Sequence, residues 1–166
     1  RYAFDYDKFL AVGKTTSPKI GVRLAKGDEE LELLDGTLAK CNDNDILITS
    51  NNVPVALAGA MGGLSTAIDN KTKTVLLESA SFSLFNLRKT QMAHGIFSEA
   101  ITRFTKGVSV GGTFNVLAEA VLEMNGKPLA LVDSFVSHKN AENILVSVGE
   151  INGLLGTEYE KGLIIS

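Results

Sequence analysis

Asp35-Gly36 is the feature that most limits what this chain can fold into. It lies between Leu31-Glu32-Leu33-Leu34 and Thr37-Leu38-Ala39, two short runs of apolar character. Asp-Gly between such runs is a strong signal for a two-residue hairpin, because a type I′ turn needs positive φ at both central positions. The flanking segments agree with antiparallel strands. Residues Lys19 to Lys26 alternate Ile20, Val22 and Leu24 with polar or small residues, which reads as a half-buried strand. Asp45 to Thr49 and Val53 to Ala58 read as another pair joined around Asn51-Asn52, and Thr74 to Glu78 as a short apolar strand ending in a carboxylate.

The period then changes. Leu84, Leu87 and Gln91 to Ala93 fit a helix that closes near His94-Gly95, with glycine as its left-handed cap. Ser98 before Glu99 and Ala100 is a helix start, the hydroxyl capping and the acid in the first turn; this helix stops at Lys106-Gly107. A longer helix is expected over Thr113 to Met124, with Phe114, Leu117, Ala118, Val121 and Leu122 on its buried face. Leu129 to Val136 returns to strand, Lys139 to Asn143 reads as a linker, Ile144 to Val148 as a strand, and Val148 to Leu155 as a short helix before Gly156. Strands dominate the first half and helices the second, so the expected class is α+β. The expected organisation is one domain over residues 1–137, then a linker and the truncated start of a further module over 138–166. The opening Arg1-Tyr2-Ala3-Phe4-Asp5 has neither an initiator methionine nor a signal-peptide apolar core, which reads as a piece cut from a longer protein.

Composition excludes several chemistries. With 16 Lys and Arg against 19 Asp and Glu, a net charge of -3 does not fit a self-sufficient, strongly basic nucleic-acid binder. It still allows a module that touches RNA briefly while a larger assembly holds it. The single cysteine, Cys41, rules out an intrachain disulfide and a cysteine-rich zinc site, and reads as a small, partly buried thiol. His94 and His138 have no ligand spacing around them, so no metal site is expected. No apolar stretch is long enough to cross a bilayer.

Two segments carry candidate chemistry. Leu57-Ala58-Gly59-Ala60-Met61-Gly62-Gly63 allows close backbone approach and exposed N–H groups for a phosphate or an oxyanion, or is simply a turn needing positive φ. It lacks the spacing of a P-loop or a dinucleotide fingerprint. Glu78 ends an apolar strand, where a carboxylate is either partnered and functional or at a sheet edge in water. Asp5, Asp7 and Arg103 are further candidates for which surface ion pairs are the commoner fate. Ser98 is a helix cap rather than a nucleophile, since no pattern identifies a base for it.

A series of motifs takes this further. In order, they are Ala3-Phe4-Asp5-Tyr6-Asp7-Lys8, Leu34-Asp35-Gly36-Thr37, Ala56 to Gly63, Val75-Leu76-Leu77-Glu78-Ser79-Ala80-Ser81-Phe82, His94 to Ala100, and Arg103 to Val108. Over roughly residues 1–137 the series resembles the central editing module of the β chain of bacterial phenylalanyl-tRNA synthetases. Ile151 to Thr157 resembles the start of the module that follows it.

The resemblance implies a layered β/β/α domain that hydrolyses tyrosine wrongly esterified to phenylalanine tRNA. It matches Glu78 to the family's catalytic-site glutamate, Gly59 and Gly62 to the pocket glycines, and Ala100 to an alanine at the later helix start. Ser98 stands at the neighbouring threonine position and keeps the hydroxyl. The family has histidine just before Ala-Phe-Asp; this chain has Tyr2 there, a donor but not a base near neutral pH. The implied partners are the acceptor end of phenylalanine tRNA with its mischarged tyrosine and the synthetase α subunit, in a cytoplasmic α2β2 assembly, with neither DNA nor membrane. No cofactor is implied for this chain; ATP and magnesium are implied only for the whole synthetase. The alternative function is a non-catalytic module of the same subunit that guides tRNA and has lost editing.

Overall fold

The Asp35-Gly36 hairpin forms, but not with the turn expected of it. The computed structural model describes residues 2–134 and 143–165. In it, strands β3 (Glu30–Glu32) and β4 (Leu38–Lys40) pair antiparallel, with Leu31 opposite Ala39. Only Gly36 has positive φ, +82°; Asp35 does not. The Gly36 amide donates to the Leu33 carbonyl and the Leu33 amide to the Thr37 carbonyl, closing a three-residue loop with glycine in the left-handed position. The Asp35 carboxylate accepts from the Thr37 amide, which organises the loop without positive φ at Asp35. The two-residue turn lies elsewhere. Asn51 and Asn52, with φ of +45° and +71°, join β5 (Ile46–Ser50) to β6 (Val53–Leu57).

These strands belong to a four-stranded sheet of order β2-β5-β6-β7, with β2 at Ile20–Leu24 and β7 at Met61–Gly62. A register shift between Ile48 and Thr49 lets Pro54 sit in β6 close to the hairpin end. A separate pair joins β1 (Tyr2–Asp5) to β8 (Val75–Glu78), placing Tyr2 opposite Glu78. After β1, Asp5 caps helix α1 (Tyr6–Val12), its carboxylate accepting from the Lys8 amide. Helix α2 spans Leu84–His94, α3 Glu99–Phe104 and α4 Thr113–Glu123.

Both faces of the β5–β6 pair are buried, which explains why its sequence is almost continuously apolar. Leu47 and Leu57 pack with Leu31, Leu33 and Ala39 of the β3–β4 hairpin and with Leu87, Ile101 and Phe104 of α2 and α3. Ile48, Val55 and Ala56 pack instead with Phe4 of β1 and Phe9 of α1. The class is α+β.

Four expectations need correction. Strand β2 forms, but Ile20, Val22 and Leu24 are exposed, and Gly21 and Arg23 are the half-buried positions. Helix α4 forms, but Phe114 and Leu122 are exposed, the latter 77%. Its only fully buried residue is Ala120, with Leu117 and Val121 half-buried, so a narrow edge rather than a broad apolar face meets the domain. The expected strands at 129–136 and 144–148 find no ladder partner among the described residues to satisfy a strand's backbone groups: 129–134 and 144–147 are irregular, and Val148 is already helical. Residues 2–128 and the described residues from 129 to 165 separate into two compact units. In the second, α5 (Val148–Leu155) carries a capping box of Ser147 with Glu150 and ends at left-handed Gly156, followed by α6 (Lys161–Ile164). The expected boundary at 137/138 and His138 lie outside the described residues.

Candidate functional site

The glycine-rich loop turns on Gly59, whose φ of +65° carries the chain from β6 to β7. A Cβ on Gly59 would lie 3.1 Å from Leu87 and 3.2 Å from Phe82, so its open side faces the core. A Cβ on Gly62 would lie 3.1 Å from Leu34 Cδ1 and 3.7 Å from the Tyr2 ring. Three of the loop's amides are taken up within the fold: Ala58, Ala60 and Gly63 donate to the carbonyls of Ile46, Leu57 and Val55. What the loop presents instead is an acceptor. The Ala60 carbonyl accepts from the Tyr2 hydroxyl at 2.7 Å and from Ser98 Oγ at 2.8 Å. Ser98 also caps α3 by accepting from the Ile101 amide.

Glu78 faces Tyr2 across the β1–β8 pair. Both of its carboxylate oxygens are buried without a hydrogen-bond partner among the described residues. Burial pushes its pKa up to about 7. Burial, and then the nearby Glu78 charge, push the Tyr2 phenol up to about 12, so it stays a donor. A buried orphan carboxylate costs free energy in the free protein, and a ligand donating to it recovers that cost.

Ser98 also borders a cavity of about 430 Å³, whose walls include Leu33, Asp35, Thr37, Met61 and His94. That volume falls in the range of small-molecule sites, about 300–1,000 Å³. Glu78 is not part of its wall; Ser98, the Ala60 carbonyl and Tyr2 connect the two.

The model of the B3/4 domain family matches residues 2–125. The chain belongs to the B3/4 domain family. The phenylalanine--tRNA ligase beta subunit of Geobacillus kaustophilus is 35% identical over 165 residues, 96% of this chain and 20% of that protein. That of Dehalococcoides mccartyi strain 195 is 38% identical over 165 residues, again 96% and 20%. That of Thermosynechococcus vestitus is 39% identical over 120 residues, 72% of this chain and 15% of that protein. The chain thus spans about a fifth of the length of the first two of these relatives.

Within this B3/4 domain, Tyr2 and Ser98 meet at the Ala60 carbonyl, Gly62 lies beside the Tyr2 ring, Glu78 stands opposite Tyr2 in the β1–β8 pair, and Ala100 lies half-buried in the first turn of α3. Gly59 supports the turn from within the core. The other acids have structural tasks. Asp5 is buried, and the Lys8 amide and then the Thr72 hydroxyl lower its pKa. Arg103 pairs with Glu99 on the surface at 2.7 Å. Asp7 is exposed.

Sequence reasoning missed two features of the B3/4 domain. The Ala60 carbonyl is backbone and leaves no residue-type signal. Asp45, read as the start of a strand, is fully buried. It accepts from the Thr90 hydroxyl at 2.6 Å and the Asn42 amide at 2.8 Å, and lies 2.7 Å from His94 Nε2. The spacing of Thr90 and His94 on α2, four residues, was the available clue. Cys41 is buried, and desolvation pushes its thiol up to about 11.

Proposed function

We propose that this B3/4 domain hydrolyses tyrosine misacylated onto phenylalanine tRNA, as a module of the β subunit of a cytoplasmic phenylalanine–tRNA ligase. The observation that carries the reading is the Glu78 carboxylate, buried with neither oxygen partnered among the described residues. Phenylalanine and tyrosine differ by one hydroxyl. A phenol donating to Glu78 relieves the unmet carboxylate, while the phenylalanine ring leaves it desolvated and unpaired. Gly62 and Ala100 keep side-chain bulk low in the same neighbourhood. Water attacks the ester carbonyl, the acyl C–O bond breaks, and the water proton passes to the departing ribose oxygen. Aminoacylation, with its ATP and magnesium, is assigned to the α subunit of an α2β2 assembly.

A second reading, a tRNA-guiding module that has lost editing, is favoured by Tyr2. Its phenol is already bonded to Ala60 and, held up to about 12, supplies no base. Deacylation separates the two. The assembled ligase is expected to release tyrosine from mischarged tRNA, and Glu78→Ala to shift its preference towards phenylalanyl-tRNA. Hydrolysis no faster than background in the wild type overturns the editing reading, and activity gained only with Tyr2→His establishes the second.

A further inference from the structure

Helix α2 is built the wrong way round for a helix whose whole business is with the core. Its buried side carries Leu87, Thr90 and His94, two of them polar and tied to Asp45. Its solvent side carries Phe85 and Met92, 75% and 73% exposed, with Arg88 and Lys89 between them. Positions 85, 88, 89 and 92 follow the helical repeat, so the four side chains form one stripe and, with Ala93, line a shallow groove. Large exposed apolar groups on one stripe mark an interaction surface.

Charge identifies the occupant. The chain carries 19 Asp and Glu, yet residues 79–98 contain none. Lys89 Nζ donates to the neutral Asn44 amide oxygen at 2.9 Å, and among the described residues neither it nor Arg88 forms an ion pair. A partner for this stripe is therefore anionic and presents flat apolar groups at short intervals. Single-stranded nucleic acid does both, with phosphates for the cations and bases for Phe85 and Met92. The groove also leads somewhere. Met92 and Ala93 line it, and the next residues, His94 to Ser98, line the cavity, with Phe97 exposed at 76%.

We propose that the Phe85–Arg88–Lys89–Met92 face of α2 docks single-stranded RNA and brings its 3′ end to the cavity beside Ser98. The proposal rests on the hydrolase reading above and gives that site its RNA-binding surface. The net charge of -3 fits it: a short local stripe holds the strand near the site, while the bulk of the tRNA is held elsewhere.

The test is fluorescence anisotropy on this chain with a short 5′-labelled single-stranded RNA, and with the same strand in a duplex. Binding is expected for the single strand and not for the duplex. Phe85→Ala is expected to weaken it roughly tenfold. Arg88→Glu with Lys89→Glu should remove it and, in the milder Arg88→Gln with Lys89→Gln, lower the salt slope by about 1.4 for two lost phosphate contacts. Lys40→Glu, on the β3–β4 hairpin, should have little effect, and circular dichroism on every variant verifies folding. Equal binding of the duplex, equal loss with Lys40→Glu, or no binding by the folded wild type overturns the proposal. Displacement of the RNA by an acidic amphipathic peptide at equal affinity also overturns it and gives the face to a protein partner. No ester is present in this assay, so its failure leaves the Glu78 reading standing. A Glu78→Ala ligase with an unchanged preference between the two amino acids removes that reading and leaves the RNA result in place.

Discussion

Tyr2 and Glu78 are directly opposed in the β1–β8 pair, yet the phenol donates to the Ala60 carbonyl and leaves the carboxylate without a hydrogen-bond partner among the described residues. Neighbours that could satisfy each other do not, and the acid stays available to something else.

That availability has a pH signature. Burial raises the Glu78 pKa from 4.5 to about 7, so between those values the folded chain holds a proton the unfolded chain has released. Stability from this group is full below about pH 4.5 and is lost as pH rises through 7. The loss is up to roughly 3 kcal/mol, at about 1.4 kcal/mol per unit. Urea unfolding at pH 5 and pH 8 should show this slope in the wild type, and Glu78→Gln should abolish it and be the more stable protein at pH 8.

The two hydroxyls on Ala60 should couple. Tyr2→Phe removes one donor and leaves the other, at a cost of about 1 kcal/mol. Ser98→Ala also removes the α3 cap, at about 1–2 kcal/mol. Only the double variant leaves the buried carbonyl unsatisfied, so its loss should exceed the sum by about 1 kcal/mol. A double-mutant cycle from equilibrium denaturation measures it; simple additivity means the shared acceptor does not matter.

Adjacent glycines should behave differently. A Cβ on Gly62 meets the flexible end of Leu34, whereas one on Gly63 meets the Val55 carbonyl oxygen at 2.5 Å. Gly62→Ala is expected to fold with a loss under about 1 kcal/mol and reduced tyrosine release, while Gly63→Ala should lose about 2–3 kcal/mol. Thermal melts beside deacylation rates separate crowding of the site from damage to the fold.

Asp45 should be the most sensitive polar residue tested by stability alone. Thr90→Val removes a hydrogen bond to a fully buried carboxylate, with an expected loss of about 1.5–3 kcal/mol, whereas Thr90→Ser should be nearly neutral. Chemical denaturation of the two variants is the comparison.

Much of this architecture was legible because local chemistry and tertiary context agree. The apolar β5 and β6 and the caps at Ser98, Gly95 and Gly156 all survive in the structure, and β2 forms as a strand but turns Ile20, Val22 and Leu24 outward. The Asp35-Gly36 turn was misread in type because the same dipeptide serves a three-residue loop when its aspartate can bind Thr37. Helix α4 was misread because periodicity reports an apolar face but not whether anything covers it. Helix α1 went unseen: it has seven residues, and Asp5 resembled a surface acid rather than a cap. For the site, Glu78 and Ser98 were visible as residue types, but the carbonyl joining them to Tyr2 has no side chain to read.

The Ala60 carbonyl also dates the assembly of the candidate site during folding. Its donors lie 58 residues before it and 38 residues after it. Bringing such distant segments together carries a loop-closure cost that local hairpins and helices do not, so this contact is expected late. A chain still folding then has its helices and its Asn51-Asn52 turn but not the assembled site. A half-folded copy therefore carries native local elements without the junction at Ala60, which forms only with the complete tertiary structure.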